Sequence, residues 1–361
     1  MEANVIPRVT VLIDTYNHEH LIERAIRSVL EQDTPMDGVE ILVVDDGSTD
    51  RTPEIVRQFE PRVRLIRKKN GGQATAFNLG FSQARGEIIA TLDGDDWWAK
   101  EKLRMVLETL EANPEVGIVG HGFHEEYSDG RPRGLILPGK NYLIDLSSPE
   151  NGELFRHLAA FFGTSRMTIR KSLVDKILPV PEGLRFEADE YIFTLAPALS
   201  NAMILNEPLC NYAIHSGNLF QYGKFDAVKA RRKMDVLEVL LTELLPKLRK
   251  CGVSESVIHQ VSCGTRMEVE RTRLGLDGGS PLRTFALERA SYKLNFRAVT
   301  RRHKLFQIFV LVQTLLLPPK VFYRLRRWYS DKGFSRFRAW TGTPVPIVKL
   351  VEQRSDTINS R

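Results

Sequence analysis

Between residues 39 and 48 the chain reads Val39-Glu-Ile-Leu-Val-Val-Asp-Asp-Gly-Ser48, a β-branched run that ends in acidic and turn-forming residues. This pattern predicts a buried strand that stops at a polar loop. Similar runs predict further strands at Val9–Ile13, Val63–Ile66 and Glu87–Leu92. Between the strands, apolar residues recur at helical spacing, as in Ala74–Arg85. This alternation of strand and helix predicts an α/β fold with a mainly parallel sheet flanked by helices.

The length and composition fit two globular domains. The chain has 361 residues, of which 42% are hydrophobic and 27% charged, and one domain usually takes about 150 residues. We predict an α/β domain at 1–222 and a mostly helical, basic region at 223–361, because helical periodicity dominates from about residue 224 onward. The composition excludes collagen-like and disordered proteins. The three cysteines have no CxxC spacing, which favours a reducing compartment over a disulfide framework or a zinc site.

Positive charge is concentrated in one segment near the C-terminus. The formal net charge is +6, but residues 301–340 alone contain ten Lys or Arg and a single acid, Asp331, so the other residues sum to −3. The longest apolar run, Leu305–Leu317, has 13 residues, fewer than the roughly 20 that span a bilayer. We therefore expect no ordinary transmembrane helix and, from the first eight residues, no secretory signal peptide.

Acidic residues directly follow two of the predicted strands. Asp45 and Asp46 end the second strand, and Asp93, Asp95 and Asp96 end the fourth. The carboxyl ends of parallel strands meet at one edge of a sheet, where α/β proteins bind their ligands. Clustered carboxylates suit a hard cation such as Mg²⁺ or Mn²⁺ that bridges to substrate phosphates. Alternatively, these residues only form turns, in which Asp, Gly and Ser are also favoured.

The acidic strand ends belong to a set of four segments with a fixed order and spacing. The segments are Val9-Thr-Val-Leu-Ile-Asp-Thr-Tyr-Asn17, Ile41-Leu-Val-Val-Asp-Asp-Gly-Ser-Thr-Asp50, Asn70-Gly-Gly-Gln73 and Ala90-Thr-Leu-Asp-Gly-Asp-Asp-Trp97. Together with two downstream segments, they resemble the inverting family 2 glycosyltransferases of the GT-A fold. The resemblance runs through Asn218 and implies a Rossmann-like GT-A domain with a C-terminal helical extension.

The resemblance implies a site for the nucleotide of a sugar donor. The residues that match it are Thr15, Tyr16, Asn17, Asp46 and Asp93. Asp46 would accept a hydrogen bond from the base, as an acidic residue does for uracil, and Asp93 would face the ribose. The chain departs from the family at Asp14, where relatives usually carry proline. Asp14 is either an extra carboxylate near the base pocket, which bears on the preference for uridine, or a simple turn residue.

A divalent cation, Mn²⁺ or Mg²⁺, is also implied by the resemblance. Asp93 and Asp95 match the D-x-D motif of the family, and Asp95 would bind the ion that bridges the diphosphate. His215, in the segment Ile214-His-Ser-Gly-Asn218, would approach the metal or the diphosphate. The alternative for His215 is a structural histidine.

Two downstream segments resemble the acceptor side of the same family. They are Gly163-Thr-Ser-Arg-Met-Thr-Ile-Arg170 and Leu184-Arg-Phe-Glu-Ala-Asp-Glu-Tyr191. Inversion needs a base that takes the proton of the acceptor hydroxyl while its oxygen attacks the anomeric carbon. The resemblance gives this role to Asp189, with Glu190 as the second candidate because many relatives have the reverse order of acids. Either carboxylate could instead be a helix N-terminal acid.

The C-terminal segment 301–340 favours a membrane surface. Basic residues flank the apolar run, aromatic residues alternate with arginine after it, and Pro318-Pro319 should divide it into two helices. Such segments lie at membrane interfaces, where basic residues meet anionic lipids. The alternative is an ordinary core helix with a solvated basic face. We expect no nucleic-acid binding, because the chain lacks an RNA-binding motif.

These observations favour a metal-dependent glycosyltransferase that moves a sugar from a nucleotide-sugar, most simply a UDP-sugar, to an acceptor hydroxyl. The acceptor would be a saccharide or a lipid-linked molecule in cell-surface glycan synthesis, with the enzyme in the cytoplasm at the inner face of the membrane. A catalytically silent, membrane-associated binding module is the alternative. A dehydrogenase is disfavoured, because Gly120-His-Gly-Phe-His-Glu125 lacks the third glycine of the dinucleotide fingerprint.

Overall fold

The computed structural model describes residues 7–128, 133–215, 226–295 and 301–332. The strands are β1 (Val9–Thr15), β2 (Val39–Asp45), β3 (Val63–Arg67), β4 (Ile88–Asp93), β5 (Trp97–Trp98), β6 (Val116–Tyr127), β7 (Gly134–Ile136), β8 (Tyr142–Ile144), β9 (Thr168–Arg170) and β10 (Asn201–Ile214). The helices are α1 (Ile22–Leu30), α2 (Thr52–Arg57), α3 (Gln73–Gln83), α4 (Lys102–Ala112), α5 (Pro149–Leu158), α6 (Lys171–Ile177), α7 (Ala188–Leu199), α8 (Ala227–Lys250), α9 (Glu255–Asp277), α10 (Pro281–Asn295), α11 (Arg301–Leu316) and α12 (Pro319–Lys332). Short 3₁₀ helices lie at Met36–Gly38, Ala159–Phe162 and Thr164–Arg166.

Among the described residues, the chain forms two compact units. The first takes in the residues up to 215 and residues 242–261, and the second takes in residues 226–241 and those from 262 on. The predicted domain boundary at 222/223 lies outside the described residues and stays a prediction.

The first unit contains a single mixed sheet with the strand order β3-β2-β1-β4-β9-β6-β10-β5, to which β7 adds on β6 and β8 on β10. β3, β2, β1 and β4 are mutually parallel, and so are β6 and β10. The short strand β9 runs antiparallel between β4 and β6. The α/β architecture is therefore confirmed, and its long ladders are parallel, while short antiparallel pairs make the sheet mixed.

The core of the first unit follows from the apolar pattern of its strands. β1 is buried along nearly its whole length, as expected for a central strand in a parallel sheet with both faces covered. α1 packs through Ile22, Ala25, Ile26 and Val29, which recur at helical spacing on one face. The parallel pairing brings the carboxyl ends of β1, β2 and β4 to the same edge of the sheet, and the acidic residues stand there.

The second unit is helical. Its small core contains Leu274, Phe322 and Tyr323, against which Leu287, Val310 and Leu317 pack. α11 ends at Leu316 and α12 begins at Pro319, so the predicted break at the two prolines is confirmed. In the parts of the chain that the structure describes, we find no helix that combines the length and the apolar character needed to cross a bilayer. The predicted membrane segment 301–340 extends beyond the described residues, which end at 332.

Candidate active site

The register of three parallel strands positions the acidic residues. Thr15 of β1 stands opposite Asp45 of β2, and Asp14 stands opposite Asp93 of β4. The backbone N–H of Asp46 donates to the Thr15 carbonyl oxygen, and the N–H of Gly94 donates to the Asp14 carbonyl oxygen, both at 2.9 Å. These bonds tie the loops that follow β2 and β4 to the end of β1.

Asp93, Asp95 and Asp96 form a compact acidic cluster. Each carboxylate offers an oxygen that lies within 4.8 Å of the others. Burial, followed by the charge of Asp95, raises the pKa of Asp96 to about 7. Burial, followed by the charge of Asp14, holds the pKa of Asp93 well above its ordinary value. Asp96 accepts from the N–H of Ala213 at 2.7 Å, while its buried Oδ2 has no hydrogen-bond partner among the described residues.

Asp95 differs from its two neighbours because histidines face it. Nε2 of His215 lies 3.2 Å from Oδ2 of Asp95, and Nε2 of His18 lies 3.9 Å from the same oxygen. Burial opposes ionisation of Asp95, but the His215 hydrogen bond and the His18 charge outweigh it, so the pKa is lowered. The hydrogen bond to Asp95 raises the pKa of His215, whereas burial lowers that of His18.

Asp14 adds a further carboxylate to this edge of the sheet. It lies within β1 and not in a turn, so the interpretation of Asp14 as a turn residue is wrong. Burial, followed by the charge of Asp95, raises the pKa of Asp14 to about 8, and Asp189 and Asp46 contribute in the same direction. Oδ1 of Asp14 is buried, and no described residue forms a hydrogen bond with it. The cluster therefore contains more carboxyl groups than the surrounding protein stabilises in their charged form.

Asp45 and Asp46 have different surroundings. The Asp45 carboxylate is fully buried, accepts from the N–H of Ser48 at 2.8 Å and pairs with Arg67 at 2.7 Å, so it holds the turn after β2. Asp46 accepts from Lys68 Nζ, from the N–H of Gly71 at 2.9 Å and from the N–H of Gly72 at 2.7 Å. The turn-forming interpretation thus fits Asp45, while Asp46 faces the loop that begins α3.

The loop that begins α3 has no space for a side chain at Gly72. Its φ is +91°, in the left-handed region, and a Cβ there would lie 2.6 Å from the Cα of Arg185. A side chain at this position would therefore meet backbone atoms of the segment that precedes α7.

The residues at the end of β1 are placed differently from one another. Thr15 is buried, with its hydroxyl 3.2 Å from Nδ1 of His18, while Tyr16 is 44% exposed. Asn17 has a φ of +57°, which asparagine tolerates better than most residues. Its side-chain oxygen accepts from the N–H of Thr49 at 2.8 Å. Asn17 therefore links the loop after β1 to the loop after β2, and both Tyr16 and Asn17 are exposed whereas Thr15 is buried.

Asp189 faces the acidic cluster from the start of α7. Its Oδ2 accepts from the N–H and the hydroxyl of Thr164 at 3.0 and 3.1 Å, and its Oδ1 accepts from the N–H of Glu190 at 2.9 Å. Its charge contributes to the raised pKa values of Asp14 and Asp93. Both acids lie in the first turn of the helix. Asp189 is therefore a helix N-terminal acid and also lies near the cluster, so the two alternatives do not exclude each other.

Residues 10–177 match the family described as glycosyl transferase family 2. The chain belongs to glycosyltransferase family 2. An uncharacterized glycosyltransferase of Nostoc sp. is 33% identical over 226 residues, which cover 58% of this chain and 66% of that protein. The succinoglycan biosynthesis protein ExoO of Rhizobium meliloti is 32% identical over 233 residues, which cover 62% of this chain and 66% of ExoO. The match thus spans about two thirds of each relative's length.

Solved structures show that the fold of this family 2 glycosyltransferase is GT-A. S. aureus TarS 1-349 in complex with UDP-GlcNAc superimposes with a TM-score of 0.52 at 20% identity, over 79% of this chain and 88% of that chain. The predicted fold is therefore confirmed. The family match contains the acidic cluster and the end of β1 but stops before Asp189 and His215.

Three residues of this glycosyltransferase site carried no role in the sequence interpretation. His18 faces Asp95. Ser165 lies beside Asp93, and its hydroxyl oxygen accepts a hydrogen bond from the Asp93 N–H at 3.1 Å. Gln73 donates to the Thr164 hydroxyl at 3.2 Å and accepts from the N–H of Ala188 at 3.0 Å. Gln73 ends the Asn70-Gly-Gly-Gln73 segment, and His18 directly follows Asn17, the last residue of the first segment. Their positions in or next to these segments could have indicated that both belong to the site.

Proposed function

We propose that this protein transfers a sugar from a nucleotide-sugar, most simply a UDP-sugar, to an acceptor hydroxyl with inversion at the anomeric carbon. The observation that carries the proposal is the approach of Asp189 to the acidic cluster: Thr164 donates to the Asp189 carboxylate, the next residue, Ser165, accepts from the Asp93 N–H, and the charge of Asp189 acts on Asp93. A base and a candidate cation site at the same sheet edge are the two parts that the reaction needs.

On the nucleotide side, Thr15, Tyr16, Asn17, Asp46 and Asp93 are the proposed binding residues. The exposed ring of Tyr16 suits contact with the base, as an aromatic ring stacks on any nucleobase. Asp46 already accepts three hydrogen bonds, and a carboxylate has about four acceptor positions. One position remains for a base N–H. TarS, whose fold this chain shares, is known in complex with UDP-GlcNAc, which supports a uridine nucleotide.

The residues present fit a divalent cation. Oxygen atoms of three carboxylates converge within 4.8 Å, and the buried Oδ2 of Asp96 has no hydrogen-bond partner within the described parts of the chain. Such an all-oxygen set suits Mn²⁺ or Mg²⁺. Asp95 would hold the ion, with His215 beside it as a second candidate ligand. When bound, the ion would offset the negative charge of the leaving diphosphate.

Asp189 is the proposed catalytic base. Its carboxylate would take the proton of the acceptor hydroxyl while the acceptor oxygen forms a bond to the anomeric carbon. The bond between that carbon and the diphosphate oxygen breaks on the opposite side, so the configuration inverts and the nucleoside diphosphate leaves. Thr164 holds Oδ2 of Asp189 through two hydrogen bonds, which orients the carboxylate. Glu190 is the second candidate.

The name of ExoO, a succinoglycan biosynthesis protein, supports a place in cell-surface polysaccharide synthesis. We propose a cytoplasmic enzyme at the inner face of the membrane, acting on a saccharide or a lipid-linked acceptor. A catalytically silent binding module is the competing proposal. The two differ in whether donor and acceptor are converted to product.

The deciding experiment is calorimetric titration of UDP, GDP and dTDP with and without Mn²⁺. We expect one nucleotide to bind, and to bind tightly only with the metal. An Asp37→Asn variant serves as the control for replacement of Asp95, because Asp37 is exposed and precedes the amino end of β2, whereas the acidic residues of the site follow the carboxyl ends of the strands. Binding that ignores Mn²⁺ contradicts the metal-dependent mechanism. Binding without turnover of any matching nucleotide-sugar, including its slow hydrolysis, favours the binding module.

A further inference from the structure

One face of α11 is apolar and exposed. Its side chains are Leu305, Ile308, Phe309, Val312, Leu315 and Leu316, which are between 44% and 70% exposed. Their spacing of three or four residues places them on one side of the helix. We name this set the α11 stripe. Soluble proteins rarely expose a contiguous apolar patch of this kind unless it contacts a partner or a membrane.

The opposite face of α11, which packs inward, contains buried polar residues. Gln307 and Thr314, seven residues apart, are 4% and 0% exposed, and Val310 between them packs on the core of the second unit. The Thr314 hydroxyl donates to the Leu311 carbonyl oxygen at 2.6 Å, while the buried Oε1 of Gln307 has no hydrogen-bond partner in the part of the chain that the structure describes. In water, a helix is more stable in the reverse arrangement, with its apolar side packed against the protein and its polar side exposed. The orientation of α11 therefore suits an apolar medium outside the stripe.

Positive charge accompanies the stripe. On α12, Lys320 and Arg324 are exposed next to the exposed Val321 and Leu325, four residues apart in each pair. The segment 301–340 holds ten Lys or Arg and one acid. Apolar side chains with neighbouring basic residues are the composition of helices that lie in the plane of an anionic membrane interface. A protein partner would not require this excess of positive charge.

We propose that the α11 stripe inserts into the interface of an anionic lipid bilayer, with the exposed basic residues of α12 on the lipid headgroups. The helix lies along the surface and does not cross it, because its 16 residues are too few to span the hydrocarbon. This inference concerns a surface of the second unit and does not depend on the transfer chemistry of the first. It assigns the predicted membrane association to particular side chains.

The test is sedimentation of the full chain with vesicles of phosphatidylcholine mixed with phosphatidylglycerol. A triple variant, Ile308→Ser, Phe309→Ser and Val312→Ser, should bind at least about tenfold more weakly, because three inserting side chains are lost. Val228→Ser is the matched control, since Val228 is 61% exposed on α8 and lies outside the stripe. It should bind like the unaltered protein. Because all four side chains are exposed, we expect unchanged melting temperatures.

A charge variant tests the second part of the proposal. Lys320→Gln with Arg324→Gln should weaken binding to the anionic vesicles by about fivefold per residue, with little effect on pure phosphatidylcholine vesicles. Absence of vesicle binding by the unaltered protein overturns the proposal. So does equal binding by the triple variant. A dimer in light scattering that the triple variant abolishes, with no vesicle binding, assigns the stripe to a second copy of the chain.

Discussion

Nε2 of His215 lies 3.2 Å from Oδ2 of Asp95, although 120 residues separate them in the chain. β10, which ends at Ile214, pairs with β5 just after the acidic cluster, and this pairing brings the histidine to the carboxylate. The contact keeps Asp95 ionised while burial and mutual repulsion raise the pKa values of Asp93 and Asp96. We therefore expect Asp95, rather than Asp93 or Asp96, to hold a cation.

Replacing Asp95 with asparagine should remove metal-dependent nucleotide binding. We expect the affinity for UDP in the presence of Mn²⁺ to fall by at least about 100-fold, since even outer-shell partners of a metal are worth about 10–100-fold. Calorimetry with and without EDTA measures this effect. The residual binding should no longer respond to Mn²⁺. If Asp95→Asn binds UDP with an unchanged metal dependence, the cation lies elsewhere and the proposed role of Asp95 is incorrect.

Asp189→Asn should separate catalysis from binding. Asparagine keeps an oxygen that can accept from Thr164 but cannot take a proton, so kcat should fall by about 10²–10⁴-fold with little change in UDP affinity. Glu190→Gln is the matched control and should keep most of the activity. Initial rates with the matching nucleotide-sugar provide the comparison. A larger loss in Glu190→Gln than in Asp189→Asn would transfer the catalytic role to Glu190.

The edge of the sheet at which the site lies could be predicted from local patterns. Apolar runs that end in Asp45-Asp46 and in Asp93 define strands and their carboxyl ends, and parallel pairing then brings these ends together. The separate tasks of the carboxylates could not be predicted this way. Asp45 pairs with Arg67 and Asp46 with Lys68, and both partners come from the following strand and loop without a distinctive local signal.

Long-range contacts account for most of what the sequence left open. Trp97 and Trp98 are adjacent, yet Arg24 lies 3.3 Å over the ring of Trp97, while Trp98 is buried and donates to the Ser165 carbonyl oxygen at 2.8 Å. These contacts, with residues distant along the chain, distinguish the buried ring from its neighbour. Likewise, the apolar run of α11 predicts a helix, but its spacing does not say which face packs inward.

Gln73→Ala should impair catalysis without removing the nucleotide site. Gln73 joins the 3₁₀ helix Thr164–Arg166 to the start of α7, and Thr164 in turn holds the Asp189 carboxylate. Loss of this link should displace Asp189 and lower kcat by about 10–100-fold, with UDP affinity nearly unchanged. Asn78→Ala is a useful control, because Asn78 lies on the same helix and links it to Val180 instead. An equal loss of activity in both variants would indicate general destabilisation of α3.

Asp14→Asn should stabilise the metal-free protein at neutral and alkaline pH. The pKa of Asp14 is raised to about 8 from a value of 3.8, so its protonation favours the folded state. That contribution is fully present below pH 3.8 and is lost as the pH rises through about 8. In EDTA, the melting temperature of the unaltered protein should therefore fall more steeply between pH 5 and pH 8 than that of Asp14→Asn. Each kcal/mol of lost stability should lower the melting temperature by about 2–4 °C. Mn²⁺ should reduce the difference, because a bound cation compensates the same negative charge. If the melting temperatures of the two proteins change in the same way at all pH values, Asp14 does not ionise in this range.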